Sequence, residues 1–128
     1  MSWEINLHPS VEEWLLKLAE EDPESADRVE EAVDLLADHG PALGRPLVDR
    51  IRGSRIHNLK ELRPGSAGST EVRILFVFDP ERRAVLLVAG DKAGRWTRWY
   101  QEAIPLAEAR YAGHLELVGR RGEELEVR

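Results

Sequence analysis

The chain contains no cysteine in its 128 residues and no long apolar segment. Without cysteine there can be neither a disulfide framework nor a zinc site built from thiolates. No apolar run approaches the roughly 20 residues that a membrane-spanning helix needs. The amino terminus, MSWEINLH, also lacks the basic and apolar regions of a secretion signal. We therefore expect a cytoplasmic protein that makes no contact with a membrane.

Metal-binding and nucleotide-binding signatures are lacking as well. His8, His39 and His114 are scattered, with no metal-ligand spacing such as His-x-x-x-His and no neighbouring nucleophile. The glycine-rich stretch at 64–68 precedes a predicted strand, whereas P-loops and dinucleotide-binding loops precede a helix. We accordingly predict no metal site and no cofactor.

Acidic and basic residues are distributed unevenly along the chain. The net charge is -6, but residues 1–44 hold 2 Lys or Arg against 12 Asp or Glu, whereas residues 45–110 hold 13 against 8. A locally basic surface on an acidic protein is typical of an anion-binding site. Because solvated helices are often acidic, the imbalance alone leaves the function open.

The first 40 residues predict one strand and two helices. Apolar and polar residues alternate over 3–8, which indicates a short strand with one buried face. Ser10 and Glu13 have the spacing of a capping box, and apolar residues then recur at helical intervals to residue 21. A second helix begins at Asp22 or Pro23 and ends before the Gly40-Pro41 pair. The two helices are expected to form a hairpin with acidic outer faces.

Residues 41–55 contain two glycines and two prolines, which predicts a loop with room for a short turn or strand. Apolar residues alternate there with four arginines, namely Arg45, Arg50, Arg52 and Arg55.

Three antiparallel strands are predicted over 59–63, 72–78 and 84–89, separated by a Gly/Ser turn and an Asp-Pro turn. Arg63 ends the first strand, Arg73 lies within the second, and Lys92 follows the third. Convergence of these cations on one face of a small sheet predicts an anionic substrate.

The last predicted element is a helix after the Lys92–Arg95 turn, with Thr97 as its cap. Pro105 interrupts the helical period, so the helix either kinks there or a new helix begins. We predict one domain over 1–118, a polar tail over 119–128, and the order β-α-α-β-β-β-α. Helices packed on a small antiparallel sheet define an α+β fold.

Four segments together resemble the RelE/ParE-like toxins of bacterial type II toxin-antitoxin pairs, in particular the HigB-like, phage-derived branch. They are Leu59 to Arg63, Val72 to Asp79, Val85 to Lys92, and Ile104 to Tyr111. The resemblance covers nearly the whole chain and implies a RelE-like fold. It implies a small cytoplasmic toxin that enters the ribosomal decoding site and cuts messenger RNA without a metal. It also implies an antitoxin partner with a helix-turn-helix domain.

Cutting RNA with its own 2'-hydroxyl needs a base, a cation at the phosphate and an acid for the leaving oxygen. By position we assign Arg73 to the phosphate, Lys92 and Arg63 to phosphate contacts or charge support, and Glu61 to proton abstraction. Glu61 stands where the best-known RelE members have a lysine, and His57 is an alternative base. We also predict substrate-binding roles, including base stacking on the aromatic rings, for Lys60, Arg95, Trp96 and Tyr100.

Each candidate also has a purely structural interpretation. Arg63 could pair with Glu61 or Glu71, Arg73 could be paired within the core, and Lys92 could be an ordinary turn lysine. The aromatic side chains of the last helix could simply pack against the sheet.

Two other functions fit the same fold. One is a ParE-like toxin that binds a topoisomerase, and the other is an inactive relative that only binds its antitoxin. For the antitoxin-binding surface we predict the acidic helical hairpin and the turn residues Arg82 and Arg83.

Overall fold

The computed structural model describes residues 2–126, with side chains described for residues 2–119. Its elements are β1 (Glu4–Leu7), α1 (Pro9–Glu21), α2 (Pro23–His39), a 3-10 turn (Gly40–Ala42), β2 (Val48–Arg50), β3 (Lys60–Leu62), β4 (Val72–Phe78), β5 (Arg83–Asp91) and α3 (Trp96–Glu126). The predicted α+β class is confirmed. No helix in this part of the chain is long and apolar enough to cross a membrane.

The strands form one five-stranded sheet in the order β1-β5-β4-β3-β2. The strands β2, β3, β4 and β5 pair in an antiparallel manner along the chain. The amino-terminal strand β1 lies at the other edge and pairs parallel to β5, so the sheet is mixed and not wholly antiparallel as predicted. This pairing places the helical hairpin on one face of the sheet, because α1 and α2 follow directly after β1.

Alternation along the strands divides the apolar residues between two cores. Leu62, Ile74, Phe76 and Leu86 face α1 and α2. Successive side chains of a strand point to opposite faces, so the intervening residues face α3. They include Leu75, Val77, Val85 and Leu87, which pack against Trp99, Ala103 and Ala107 of α3. Because helices cover both faces of the sheet, the sequences of β4 and β5 are almost continuously apolar.

The bounds of α1 and β4 match the prediction, whereas several local features differ from it. The cap of α1 is His8, not Ser10, because His8 Nδ1 accepts a hydrogen bond from the backbone N–H of Ser10. The loop over 41–55 contributes the short edge strand β2, so the chain has one strand more than the predicted order β-α-α-β-β-β-α.

The carboxyl-terminal helix is also longer than predicted. It begins at Trp96, so Thr97 lies within α3 and is not its cap. Pro105 lies inside one continuous helix, whose backbone continues to Glu126 through most of the segment predicted as a tail. Val127 and Arg128 lie outside the described residues, and the domain boundary stays a prediction.

The predicted exposure of Arg83 is wrong. Its side chain is buried and donates to Asp79 Oδ2 at 2.7 Å, and His114 Nε2 lies 3.1 Å from the same oxygen. His114 therefore belongs to a buried ionic cluster and is not incidental. Arg82 is stacked over the Trp3 ring at 4.7 Å.

Candidate active site

The strand registers bring three of the predicted site residues to the face of the sheet that α3 covers. Glu61 is paired with Leu75, and Arg73 with Gly90. The register shifts by one residue between Leu75 and Phe76, because Leu75 pairs with Val88 and Phe76 with Leu86. Lys92, two residues beyond Gly90, therefore falls on the same face as Glu61 and Arg73.

Glu61 is the buried centre of a hydrogen-bonded network on this face. Its side chain is 2% exposed, Oε1 accepts from Arg63 Nε at 2.6 Å, and Oε2 accepts from the Tyr100 hydroxyl at 2.6 Å. Arg63 Nη2 also donates to Asp49 Oδ2 at 3.1 Å. Asp49 and Glu61 are cross-strand neighbours, and two like charges in that position repel each other. Arg63 bridges the two carboxylates and offsets their repulsion.

The same network determines the protonation of Tyr100. Burial, together with the hydrogen bond to Glu61, raises the pKa of Tyr100 well above its ordinary value. The hydroxyl is therefore protonated at neutral pH and acts as a hydrogen-bond donor. Burial acts to lower the pKa of Arg63, but the contacts with Glu61 and Asp49 outweigh it and raise that pKa.

Lys92 is buried against two aromatic rings. Its Nζ lies 4.1 Å from the centroid of Trp96 and 5.2 Å from that of Tyr100. Burial, followed by the charge of Arg73, lowers the pKa of Lys92. No carboxylate of the described residues forms an ion pair with this ammonium, which leaves its charge available to an external anion.

Arg73 is the second cation without an internal counter-ion. Its Nη1 donates to the carbonyl of Val72 at 2.8 Å, and its Nε is buried without a partner among the described residues. The structural pairing considered for Arg73 is therefore not observed, whereas Arg63 does pair with Glu61. A buried guanidinium donor without a partner is costly and marks a place where a ligand can bind.

Several predicted residues lie apart from this cluster. Lys60 projects from the opposite face, where its Nζ is 5.5 Å from the Phe78 ring centroid. Arg95 precedes α3 at the rim and pairs with exposed Glu102 at 3.4 Å. His57 lies in the turn before β3 and contacts neither Glu61 nor Lys92. Trp96 is 57% exposed and thus accessible, in addition to its contact with Lys92.

Sequence reasoning missed one supporting residue, Asp49. Asp49 enters the network only because β2 pairs with β3, and a strand of three residues carries too weak a pattern to reveal that pairing. The packing interpretation is correct for Trp99, whose indole lies against Gly90, the residue paired with Arg73 in the sheet. No side chain larger than glycine would leave room for the indole there.

The geometry joins two uncompensated cations to a protonated tyrosine hydroxyl and a buried carboxylate. Such a site can bind a phosphate and can transfer a proton beside it. No group of three or more His, Asp or Glu within the described residues is placed to hold a metal ion.

Comparison with known proteins shows what the chain as a whole is similar to. Two relatives from Mycobacterium tuberculosis (strain ATCC 25618 / H37Rv) are named as candidate toxins. HigB2 is 58% identical over 94 residues, which is 73% of this chain and 47% of HigB2, so the chain spans about half of that relative. HigB3 is 51% identical over 106 residues, covering 83% of this chain and 88% of HigB3.

A solved structure shares the fold. It is a double arginine-to-alanine variant of the E. coli toxin RelE in the free state, with a TM-score of 0.57 and 12% identity. The superposition covers 82% of this chain and 97% of RelE, which confirms the predicted RelE-like fold. The model of the family described as "Phage derived protein Gp49-like (DUF891)" matches residues 13–112. The chain therefore belongs to the Gp49-like family, as the predicted resemblance to the phage-derived, HigB-like branch implied.

Proposed function

We propose that this protein is the toxin of a type II toxin-antitoxin pair and that it cuts messenger RNA on the ribosome. The single observation that carries the proposal is the pair of cations, Arg73 and Lys92, without carboxylate partners beside the Glu61–Tyr100 hydrogen bond. The toxin names of the two relatives support this class of protein.

Arg73 and Lys92 are assigned to the scissile phosphate. Charge builds on the phosphate oxygens as the 2'-hydroxyl attacks, and cations positioned in advance stabilise that charge more strongly in a site that excludes water. Arg73 supplies a guanidinium that forms no ion pair with a carboxylate of the described residues. Arg63 is committed to Glu61 and Asp49, so its part is to hold the carboxylate in place.

Proton transfer is assigned to Lys92 and to the Glu61–Tyr100 pair. A lowered pKa makes the Lys92 ammonium a readier donor to the departing 5'-oxygen. Glu61 is too buried to touch a substrate directly. In our proposal the proton of the 2'-hydroxyl passes to the Tyr100 oxygen, while the Tyr100 proton passes to Glu61 Oε2. Because this transfer leaves tyrosine neutral, it is consistent with the raised pKa of Tyr100.

A partner follows from the same class of protein. A toxin of this type requires an antitoxin, and we propose one with a helix-turn-helix domain. The burial of Arg83 removes that residue from the proposed binding surface, which leaves the acidic helical hairpin and Arg82.

The test is induced expression without any antitoxin, with growth and the 5' ends of cellular messenger RNA followed together. We expect growth arrest with new in-frame cuts, both lost in Arg73→Ala and both kept in Arg28→Ala. Arg28 is a suitable control because it is an exposed arginine of α2, paired only with Glu31. Arrest without cuts would contradict the ribonuclease proposal and favour a topoisomerase target. Normal growth would favour a relative that only binds its antitoxin.

A further inference from the structure

The strands β2 and β3 carry like charges on both of their faces, but the fold compensates only one face. On the α3 face the acidic neighbours Asp49 and Glu61 are bridged by Arg63. On the opposite face the register pairs Arg50 with Lys60. Directly opposed residues of antiparallel strands lie close together, so two cations in this position repel each other.

No internal anion offsets the Arg50–Lys60 repulsion. Within the described residues neither side chain forms an ion pair, and Lys60 has only a distant contact with the Phe78 ring at 5.5 Å. Asp49 is the carboxylate nearest in sequence, and it is occupied by Arg45 at 3.2 Å and by Arg63 at 3.1 Å. An unfavourable pair of cations at the surface is explained if an external anion lies between them.

The surrounding surface has the shape and composition for such a ligand. Arg50 and Lys60 line an open groove of about 480 Å³, which also contains His57 and the ion pair of Arg45 with Asp49. Its floor includes Leu43 and Val48, which offer apolar contact beside the charges. A basic groove with apolar patches suits a chain of phosphates whose sugars and bases also need contact.

We infer that this groove binds the phosphate backbone of RNA as a second contact, on the face of the sheet opposite the candidate active site. The inference rests on the proposed function, because it assumes that RNA is the substrate. It also gives Lys60, which lies apart from the Glu61 cluster, a role in binding RNA. Since β2 is an edge strand, an RNA molecule can reach both faces around this edge.

Messenger RNA and ribosomal RNA have the same phosphate backbone, so the groove could bind either the messenger RNA that is cut or the RNA of the ribosome. Two probes separate these sources. One is a short, fluorescently labelled, single-stranded RNA with 2'-O-methyl groups, which cannot be cleaved by 2'-hydroxyl attack. The other is the purified small ribosomal subunit, with binding followed by sedimentation. Affinity for each probe is measured over a series of KCl concentrations.

The test variant is Arg50→Gln with Lys60→Gln, and its control is Lys17→Gln with Arg28→Gln. Both double variants lose two positive charges, but the control residues lie on the acidic hairpin. We expect the Arg50/Lys60 variant alone to flatten the dependence of log affinity on log salt by roughly 1 to 2, since each lost phosphate contact contributes about 0.7 to 0.9. Its thermal midpoint is expected to equal or exceed that of the wild type, because the repulsion is removed.

A flatter slope with the oligonucleotide would assign the groove to the strand being cut, and a change with the subunit alone would assign it to ribosomal RNA. Equal slopes for the two double variants would overturn the inference, as would a wild type that binds neither probe. Since the oligonucleotide cannot be cut, its binding can confirm the groove even if the expression experiment with the wild type yields no cuts in messenger RNA.

Discussion

The hydroxyl of Tyr100 donates a hydrogen bond to Oε2 of the buried Glu61 across 2.6 Å, which joins α3 to β3 at the candidate active site. Tyr100→Phe removes this donor and leaves Glu61 with Arg63 as its one partner in the network. We expect the free energy of unfolding, measured with urea, to fall by about 1 to 3 kcal/mol, because a buried acceptor loses its hydrogen bond. Messenger RNA cleavage should also fall, since the proposed proton path is broken.

Tyr111→Phe is the matched control for Tyr100→Phe. Tyr111 is also a half-buried tyrosine of α3, stacked on His114, but its hydroxyl makes no hydrogen bond within the described residues. Its removal should change stability and cleavage little. Equal effects of the two substitutions would show that the Glu61 contact has no special role.

The pKa of Lys92 predicts how cleavage depends on pH. Burial and Arg73 hold this pKa below the ordinary 10.5, so the protonated fraction falls as pH rises through the lowered value. If the ammonium donates the proton to the leaving oxygen, the single-turnover cleavage rate should decline over that range. Lys92→Arg keeps the positive charge but raises the pKa of the side chain at this position, so the decline should move to higher pH. If the cleavage rate of Lys92→Arg declined over the same pH range as that of the wild type, a group other than Lys92 would be responsible. Lys17→Arg is the control for replacing a lysine with an arginine.

Gly90 leaves the space that the Trp99 indole needs to approach β5. A Cβ at this position would overlap Nε1 of the indole, so Gly90→Ala must displace the first turn of α3. We expect a loss of about 1 to 3 kcal/mol in the free energy of unfolding, as for other overpacked cores. Cleavage should fall as well, because Trp96 and Tyr100 lie on the same turn.

Gly113→Ala, within α3, is expected to raise stability where Gly90→Ala lowers it. A Cβ there meets no atom within 4 Å, and alanine favours the helical conformation over glycine by about 1 kcal/mol. The variant should therefore unfold at a slightly higher urea concentration. A loss of stability in Gly113→Ala comparable to that of Gly90→Ala would contradict the assignment to the indole contact.

The buried cluster of Asp79, Arg83 and His114 predicts sensitivity to acid. Burial acts to raise the pKa of Asp79, but hydrogen bonds from His114 and Arg83 outweigh it and leave that pKa below 3.8. The carboxylate therefore stabilises the fold above pH 3.8, and this contribution is lost as pH falls through the lowered pKa. The midpoint of urea unfolding should decrease over that range in the wild type.

Asp79→Asn should remove most of that pH dependence. At neutral pH it should cost about 1 to 3 kcal/mol, because Arg83 loses its buried partner and keeps the exposed Glu81, whose Oε2 lies 2.9 Å from Arg83 Nη2. Asp27→Asn, on the exposed surface of α2, should match the wild type. An Asp79→Asn protein as stable as the wild type at neutral pH would show that the buried ion pair contributes little.

Local sequence patterns were sufficient to predict most of the individual elements. The bounds of α1 and β4 follow from proline positions and from apolar periodicity, which depend only on neighbours in the chain. The cap at His8 and the helical position of Thr97 were missed, because several residues near a helix end can serve as its cap. The uninterrupted passage of α3 through Pro105 depends on packing against the sheet, which outweighs the local cost of proline.

The sequence by itself determined the α+β class, the apolar strands and the presence of cations at Arg63, Arg73 and Lys92, because these follow from residue type and short-range spacing. Only the tertiary structure decided which charges meet. The register of β2 and β3 places Asp49 and Glu61 where Arg63 pairs with both. It also places Lys60 on the opposite face beside Arg50. Arg73 and Lys92 then have no carboxylate as an ion-pair partner among the described residues. A change of strand register by one residue moves every side chain of the strand to the other face of the sheet. The register itself is determined by contacts between segments that lie far apart in the chain.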